Sequence, residues 1–132
     1  MDTTRRNDFV KSWMAMQDAL AGTEAYERNF WAHEVLADLC ADAPQDAWEV
    51  IVALVGAAKS EPLLEAIGAG PLQDLMALHG EAYIARVERE AARSASFRRA
   101  MAGAWLDKDD TPVWARFYEI AGVEPPFPED DA

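Results

Sequence analysis

The two histidines are the first residues in this sequence whose type and spacing could carry chemistry. His33 is followed by Glu34, as in the zinc-protease motif His-Glu-x-x-His, but position 37 is alanine, so the second histidine ligand is missing. His33, Glu34 and Asp38 can still lie close together on one helix, where a solvated polar face is the expected arrangement. The sequence therefore predicts no metal site, and no loop or motif in it calls for a cofactor.

His79 has the helical spacing of an apolar stripe that also holds Leu72, Leu75 and Met76. We expect a structural histidine that bonds a backbone carbonyl or a carboxylate such as Asp74. The alternative is a small ligand-binding or hydrolytic pocket, because Asp74, His79 and Tyr83 lie on adjacent turns. No nucleophile stands beside a base in the sequence, so we do not predict an enzyme.

Cysteine and glycine chemistry is equally sparse. Cys40 is the only cysteine, which excludes an internal disulfide, and its place on an apolar stripe predicts a small buried hydrophobe. Gly68-Ala69-Gly70-Pro71 precedes a helix as phosphate-binding loops do. It lacks the lysine and the serine or threonine of such loops, and Pro71 removes an N–H donor. We expect these four residues to break the helix in a tight turn.

The charge of the chain is acidic and unevenly distributed. The 132 residues carry 24 acids and 12 bases, a net charge of −12. Between Thr23 and Glu81 eleven acids face only Arg28 and Lys59, whereas five arginines face two glutamates between Ala82 and Ala104. Such a charge repels nucleic acid and attracts a basic protein. The acidic residues expected to bind are Glu34, Asp38, Asp42, Asp46, Glu49 and Asp74.

Five tryptophans, all on apolar stripes, are expected to pack in the core. Trp105 and Trp114 flank the acidic turn Asp107–Asp110 and are near Arg98, Arg99 and Arg116 in the sequence. A tryptophan that is partly exposed beside an arginine is a typical hot spot of a binding surface. Trp105 and Trp114 therefore join the candidate binding residues, together with His79.

Helix signals cover most of the chain, and no strand pattern is convincing. The first helix is expected over 4–21, with Leu20 on its buried stripe and Gly22 as its stop. Thr23, Ser60 and Ser94 or Ser96 can cap later helices, and Thr111 and Pro112 can start the last one. The fold class predicted is an all-α, compact bundle of about seven or eight short helices, which includes the option of stacked helical hairpins.

Residues 1–122 are expected to form a single helical domain, followed by a disordered, acidic and proline-rich tail over 123–132. The longest apolar stretch, Val50–Ala58, is about half of the roughly 18 residues that a membrane span needs. The first residues lead into an amphipathic segment and not into the apolar region of a secretory signal. We therefore expect a cytoplasmic protein without membrane contact.

The segment Gly70-Pro71-Leu72-Gln73-Asp74-Leu75-Met76, followed by His79-Gly80, resembles the core motif G-P-L-[EQ]-D-L-[LM]-x-x-H-G of a bacterial helical domain family of unknown function. A preceding tryptophan-bearing helix, here with Trp48, and a following segment with Val113 and Trp114 extend the resemblance over roughly residues 31–117. The resemblance implies an all-α bacterial cytoplasmic protein. It assigns no activity, and Gln73 stands where the family more often has glutamate.

The leading functional hypothesis is a non-catalytic protein-interaction module, such as an immunity-type or inhibitor protein, whose acidic face covers a basic partner. Three alternatives stay open: the pocket at His79, an acidic mimic of nucleic acid, and a homodimer. The mimic requires carboxylates spaced regularly along one surface. The homodimer would join the segment Arg86–Arg99 of one copy to an acidic patch of the other.

Overall fold

The chain is all-α, as predicted, in a computed structural model that describes residues 1–126. Seven α-helices and one π-helical turn account for its regular structure: α1 (Thr3–Asp18), α2 (Glu24–Asp42), α3 (Pro44–Ala57), α4 (Glu61–Ile67), the π turn (Gly68–Leu72), α5 (Gln73–Arg93), α6 (Ala95–Met101) and α7 (Trp114–Ala121). Residues 127–132, which belong to the predicted tail, lie outside the described residues.

Helix starts follow the local chemistry of the sequence closely. Thr23, Ser60 and Ser94 each accept a hydrogen bond from the backbone N–H three residues later, at 3.3, 3.3 and 3.0 Å. Asp2 caps α1 in the same way at 2.8 Å. Gly122 ends α7 with a left-handed φ of 75°, a conformation that glycine adopts without steric cost.

Two helix boundaries differ from the prediction. α1 ends at Asp18, so Leu20 lies in the connecting loop with 79% of its surface exposed. The expectation that Leu20 is buried was therefore wrong, because the apolar spacing continued past the end of the helix. α7 begins at Trp114, since Thr111 is buried in the preceding turn and its carbonyl accepts the Trp114 N–H at 2.9 Å.

The bundle is organised around α5, which contacts α2, α3, α6 and α7. Helices α1, α2 and α3 pack on one another, and α4 packs on α6. One core cluster runs through all of these contacts. Its largest fully buried side chains include Phe9, Trp13, Ile51, Leu54, Ile67, Leu72, Leu75, Met76, Phe97, Met101, Phe117 and Tyr118.

The segment Gly68–Leu72 is a π-helical turn and not the predicted break. The backbone stays right-handed helical from Ile67 through Gln73, so α4, the π turn and α5 form one continuous path. Pro71 lacks an N–H and would crowd the carbonyl four residues earlier in a regular helix, and the wider turn accommodates that side chain. The sequence pattern correctly marked a disturbance but not its form.

Two glycines allow α4 and the π turn to cross α6 at very short range. A Cβ atom on Gly68 would lie 1.8 Å from the carbonyl oxygen of Ala100. A Cβ atom on Gly103 would lie 2.8 Å from the carbonyl oxygen of Glu65. Neither position can hold a side chain unless a backbone moves, so the crossing requires glycine at both.

The loop between α6 and α7 is held by a buried tyrosine. The Tyr118 hydroxyl accepts the Leu106 N–H at 2.9 Å and donates to the Ala104 carbonyl at 2.5 Å. Burial of this ring raises the pKa of Tyr118 above its ordinary value. The loop backbone is thus tied to α7 through one side chain.

None of the helices in residues 1–126 combines the length and the hydrophobicity needed to cross a bilayer.

Candidate functional site

One face of α2 carries a row of carboxylates with a tryptophan in its middle. We call this row the acidic ridge, and its members are Glu27, Trp31, Glu34, Asp38 and Asp42. Successive members are three or four residues apart, so they fall on one side of the helix. The opposite side of α2 holds the fully buried residues Ala32, Leu36 and Cys40. The packing of α2 therefore fixes the acidic ridge towards solvent.

The four carboxylates of the acidic ridge have no ion-pair or hydrogen-bond partner among residues 1–126, and all four side chains are exposed. Arg28, the only arginine or lysine of α2, pairs with Glu24 at 3.2 Å instead. Their negative charge is therefore uncompensated by the fold. Three of them, Glu34, Asp38 and Asp42, were predicted to bind from the sequence.

Trp31 is 42% exposed, which corrects the expectation that it belongs to the core. Its ring meets the buried ring of Phe9 edge to face, with centroids 5.3 Å apart. The indole is thus anchored on Phe9, while a large part of its surface is open to solvent between acidic neighbours. Sequence reasoning missed this residue, although its spacing from Glu27 and Glu34 was the available signal.

Asp46 and Glu49 do not extend the acidic ridge, because both lie on α3 and are half-buried. Asp46 lies 3.4 Å from the amino group of Met1. Glu49 accepts a hydrogen bond from the Gln45 amide at 3.3 Å. The structure therefore divides the predicted acidic set into an exposed group on α2 and partnered groups elsewhere.

Asp74 faces His33 across a small cavity between α2 and the π turn. The cavity measures about 20 Å³, close to the volume that one water molecule requires, and Trp13 and Pro71 also line it. Burial raises the pKa of Asp74, and the nearby charge of His33 acts in the opposite direction. The His33 and Glu34 pair predicted as a solvated face thus contributes one side chain to this cavity.

Cys40 is fully buried beside the same region, as its place in the sequence predicted. Its thiol donates to the carbonyl of Pro71 in the π turn, with sulfur and oxygen 3.5 Å apart. Burial and the nearby charge of Asp74 raise the pKa of Cys40 to about 12. A thiol with this pKa is not a nucleophile near neutral pH.

His79 bends α5 and ties it to the end of α2. Its backbone leaves the helical region, with φ −137° and ψ 27°, and its Nε2 lies 3.2 Å from the carbonyl oxygen of Ala41. Gly80 follows at a tight contact, where a Cβ atom would lie 2.9 Å from the Val113 side chain. The structural role expected of His79, a bond to a backbone carbonyl, is the contact observed.

The three residues of the alternative pocket have different partners. The Asp74 carboxylate has His33 as its charged neighbour, and the Tyr83 hydroxyl donates to Gln45 at 3.4 Å. His79 and Gly80 line an open groove of about 320 Å³ with Glu81 and Pro112. The described hydrogen bonds do not join Asp74, His79 and Tyr83 into one cluster.

Trp105 and Trp114 differ in exposure. Trp105 is 54% exposed, contrary to core packing, and its backbone N–H donates to Gln73 Oε1 at 2.8 Å. Trp114 is half-buried against Tyr118, with ring centroids 6.0 Å apart.

The arginines expected near these tryptophans have other contacts. Arg99 pairs with Glu61 and Glu65, Arg116 pairs with Glu88, and Arg98 donates to the Ala91 carbonyl.

Within residues 1–126, no group of three His, Cys, Asp or Glu side chains is close enough to hold a metal ion.

A comparison with known protein families matches residues 18–123 to a family of unknown function, DUF6869. The chain belongs to this family. The match covers the helices from α2 to α7, and with them the acidic ridge, the π turn and the bend at His79. No curated protein and no solved structure matches the chain significantly.

In this DUF6869 protein the segment Gly70–Gly80 supplies contacts between elements. Pro71 accepts from Cys40, Gln73 from the Trp105 N–H, and His79 binds the end of α2. These contacts join the π turn and α5 to α2 and to the loop after α6. Residues of this segment therefore contribute to packing between elements, and the acidic ridge lies outside it.

Proposed function

We propose that this protein is a non-catalytic protein-interaction module that binds a basic partner through the acidic ridge of α2. The immunity-type or inhibitor protein is the concrete form of this proposal: a small acidic domain that covers a basic surface of another protein. A buried free thiol at Cys40 agrees with a reducing compartment, and we place the activity in a bacterial cytoplasm.

The observation that carries the proposal is the row of uncompensated carboxylates around an exposed tryptophan. Holding four unpaired acids on one helix face costs stability, because like charges at i, i+4 repel by a few tenths of a kcal/mol per pair. A basic partner removes that repulsion when it binds. The fold itself does not use these side chains, so selection for packing alone does not account for them.

Trp31 adds contact area to the carboxylates and a further preference for arginine. An exposed cation–π contact contributes about 0.5–1 kcal/mol, and arginine forms it more often than lysine. Tryptophan is also enriched among the residues that dominate binding energy. We therefore expect an arginine of the partner to stack on Trp31 while neighbouring basic groups pair with Glu34 and Asp38.

Direct capture tests the proposal. The protein is immobilised and exposed to native lysate at moderate salt in three forms: wild type, the ridge variant Glu34→Gln/Asp38→Asn/Asp42→Asn, and the control variant Asp18→Asn/Glu119→Gln/Glu124→Gln. The control removes three exposed charges at other sites. We expect the wild type and the control to retain the same protein and the ridge variant to lose it. Recovery of no partner, or equal retention by all three forms, contradicts the proposal.

Defined probes then separate the ridge from general charge attraction. Hexa-arginine and hexalysine peptides are titrated against the wild type and against Trp31→Ala. We expect the wild type to bind hexa-arginine more tightly and the Trp31→Ala variant to show a smaller preference, which is the part that bidentate pairing with carboxylates supplies. A preference of unchanged size would exclude Trp31 as the contact.

A second candidate, the acidic mimic of nucleic acid, is favoured by the regular spacing on α2. Glu34, Asp38 and Asp42 recur every four residues, which corresponds to a rise of about 6 Å per step. A captured partner that also binds DNA distinguishes the two functions. Competition between this protein and duplex DNA for that partner supports the mimic, whereas simultaneous binding excludes it.

A further inference from the structure

A second charged surface, opposite in sign, lies on α5 and α3. Arg86, Arg89 and Arg93 line an open cavity of about 230 Å³ together with Trp48 and Glu90. We call it the arginine cavity. It holds three guanidinium groups and one carboxylate, a net charge of +2 in a chain whose net charge is −12.

The arginines of this cavity are held in place without being neutralised. Arg86 lies over the Tyr83 ring, 4.6 Å from its centroid, and donates to Gln45 Oε1 at 2.6 Å. Gln45 is a neutral partner, and Glu49 reaches it only from its other side, through the amide nitrogen. The positive charge of Arg86 is therefore positioned but has no carboxylate in contact.

Arg89 has no hydrogen-bond or ion-pair partner among residues 1–126. Arg93 is the compensated member, since its guanidinium donates to Glu90 at 2.7 and 3.1 Å. The Glu90 side chain is only 13% exposed, so its carboxylate is occupied by this pair. Two guanidinium groups, Arg86 and Arg89, are thus available to a ligand.

Trp48 supplies the aromatic part of the cavity lining. Trp48 is half-buried and packs against Tyr83 and Phe97, with ring centroids 6.1 and 5.6 Å away. These contacts hold the indole in place beside the arginines that line the cavity. An indole beside guanidinium groups favours an anion that carries a flat or apolar group.

We propose that the arginine cavity binds a phosphate monoester, with Arg86 and Arg89 on the phosphate oxygens and Trp48 against the group that carries it. Guanidinium forks match the geometry of phosphate oxygens and bind them with two parallel hydrogen bonds. A net charge of +2 balances the dianion, whereas a single carboxylate would leave one charge over. The cavity is smaller than the roughly 300 Å³ of a pocket for a drug-sized ligand, so it suits one compact group.

Nuclear magnetic resonance titration of the full chain with phenyl phosphate tests this site. The side-chain Nε–H signals of Arg86 and Arg89 and the indole N–H signal of Trp48 are expected to shift together and to saturate. Benzoate has the same ring with one carboxylate. It is expected to bind more weakly than phenyl phosphate by roughly tenfold or more. Absence of saturation with phenyl phosphate, or equal binding of benzoate, overturns the proposal.

Two variants make the result specific to this cavity. Arg89→Gln is expected to weaken phenyl phosphate binding by roughly tenfold or more, because it removes a charge-assisted hydrogen bond. Arg28→Gln removes one exposed arginine charge on α2 and is expected to leave binding unchanged. Equal loss in both variants would reveal attraction by net charge and would contradict a site.

The protonation of the ligand gives an independent measurement. The second pKa of a phosphate monoester is about 6, so lowering the pH from 7.5 to 5.5 replaces most of the dianion by the monoanion. We expect phenyl phosphate binding to weaken severalfold over this interval, while benzoate binding stays level. Identical pH profiles for the two ligands would exclude selection of the dianion.

Discussion

The acidic ridge on α2 and the segment Gly68–Gly80 differ in how many contacts they make with the rest of the structure. Nearly every notable residue of the segment has a partner in another element, from the crossing at Gly68 to the bond between His79 and Ala41. The carboxylates of the ridge have none among the described residues. The comparison shows that a conspicuous motif can serve packing. An exposed surface whose side chains make no such contacts can have an ordinary sequence.

The largest expected effect is on the packing side of this comparison. Gly68→Ala places a methyl group 1.8 Å from the Ala100 carbonyl oxygen, so the two backbones must separate. We expect a loss of about 3 kcal/mol or more in the free energy of unfolding, measured by urea denaturation. Gly56→Ala is the matched control, because a Cβ atom there meets nothing within 4 Å. It is expected to stabilise by about 0.5–1 kcal/mol. An unchanged free energy of unfolding in Gly68→Ala would contradict the close crossing of the π turn and α6.

Tyr118→Phe is the next largest change, since it leaves the Leu106 N–H and the Ala104 carbonyl without their buried partner. We expect a loss of about 1–3 kcal/mol in the free energy of unfolding. Tyr26→Phe, whose hydroxyl makes none of the described hydrogen bonds, is expected to change stability by less than about 0.5 kcal/mol. Equal effects of the two substitutions would show that the Tyr118 hydroxyl does not hold the loop.

The thiol of Cys40 makes the free energy of unfolding depend on pH in the alkaline range. Its pKa in the folded protein is about 12, above the unfolded value of 9.0, so the unfolded chain loses its proton first. Stability is complete below pH 9 and falls between pH 9 and 12, by at most about 1.4 kcal/mol per pH unit. The measurement is the difference in unfolding free energy between the wild type and Cys40→Ala across this range. A constant difference would exclude the raised pKa.

The smallest expected effect belongs to the acidic ridge. The variant Glu34→Gln/Asp38→Asn/Asp42→Asn removes two like-charge pairs at i, i+4 and breaks no hydrogen bond or ion pair within residues 1–126. We expect it to stabilise the fold by roughly 0.5 kcal/mol, with the gain shrinking at high salt. A destabilisation above about 1 kcal/mol would show that these carboxylates have a structural role and would remove the contrast between the two regions.

Features decided within a few residues could be predicted from the sequence, and features decided across the chain could not. The caps at Thr23, Ser60 and Ser94 follow from side chains next to the groups they satisfy. The clash at Gly68 depends on Ala100, and the partner of His79 is Ala41, both more than 30 positions away. No local pattern contains such pairs.

The spacing of apolar residues also failed to predict the exposure of two side chains. Trp31 and Leu20 both continue apolar stripes, yet Trp31 faces solvent beside Phe9 and Leu20 follows the end of its helix. The candidate site was predicted in part, since Glu34, Asp38 and Asp42 share the exposed face of α2. Trp31 and the arginine cavity were missed because exposure depends on which neighbours cover a residue.

The glycine crossing has a consequence for how the chain acquires its structure. The helices α4 and α6 have seven residues each, and isolated helices shorter than about 12 residues are marginal in water. The π turn and α5 continue α4 along the chain, whereas α6 depends on its packing against α3, α4, α5 and α7. It meets α4 where Gly68 and Gly103 let the two backbones approach. Because α5 connects α4 and α6 along the chain, a fragment that stops at the end of α5 lacks α6. It also lacks the packing that α6 gives to α4.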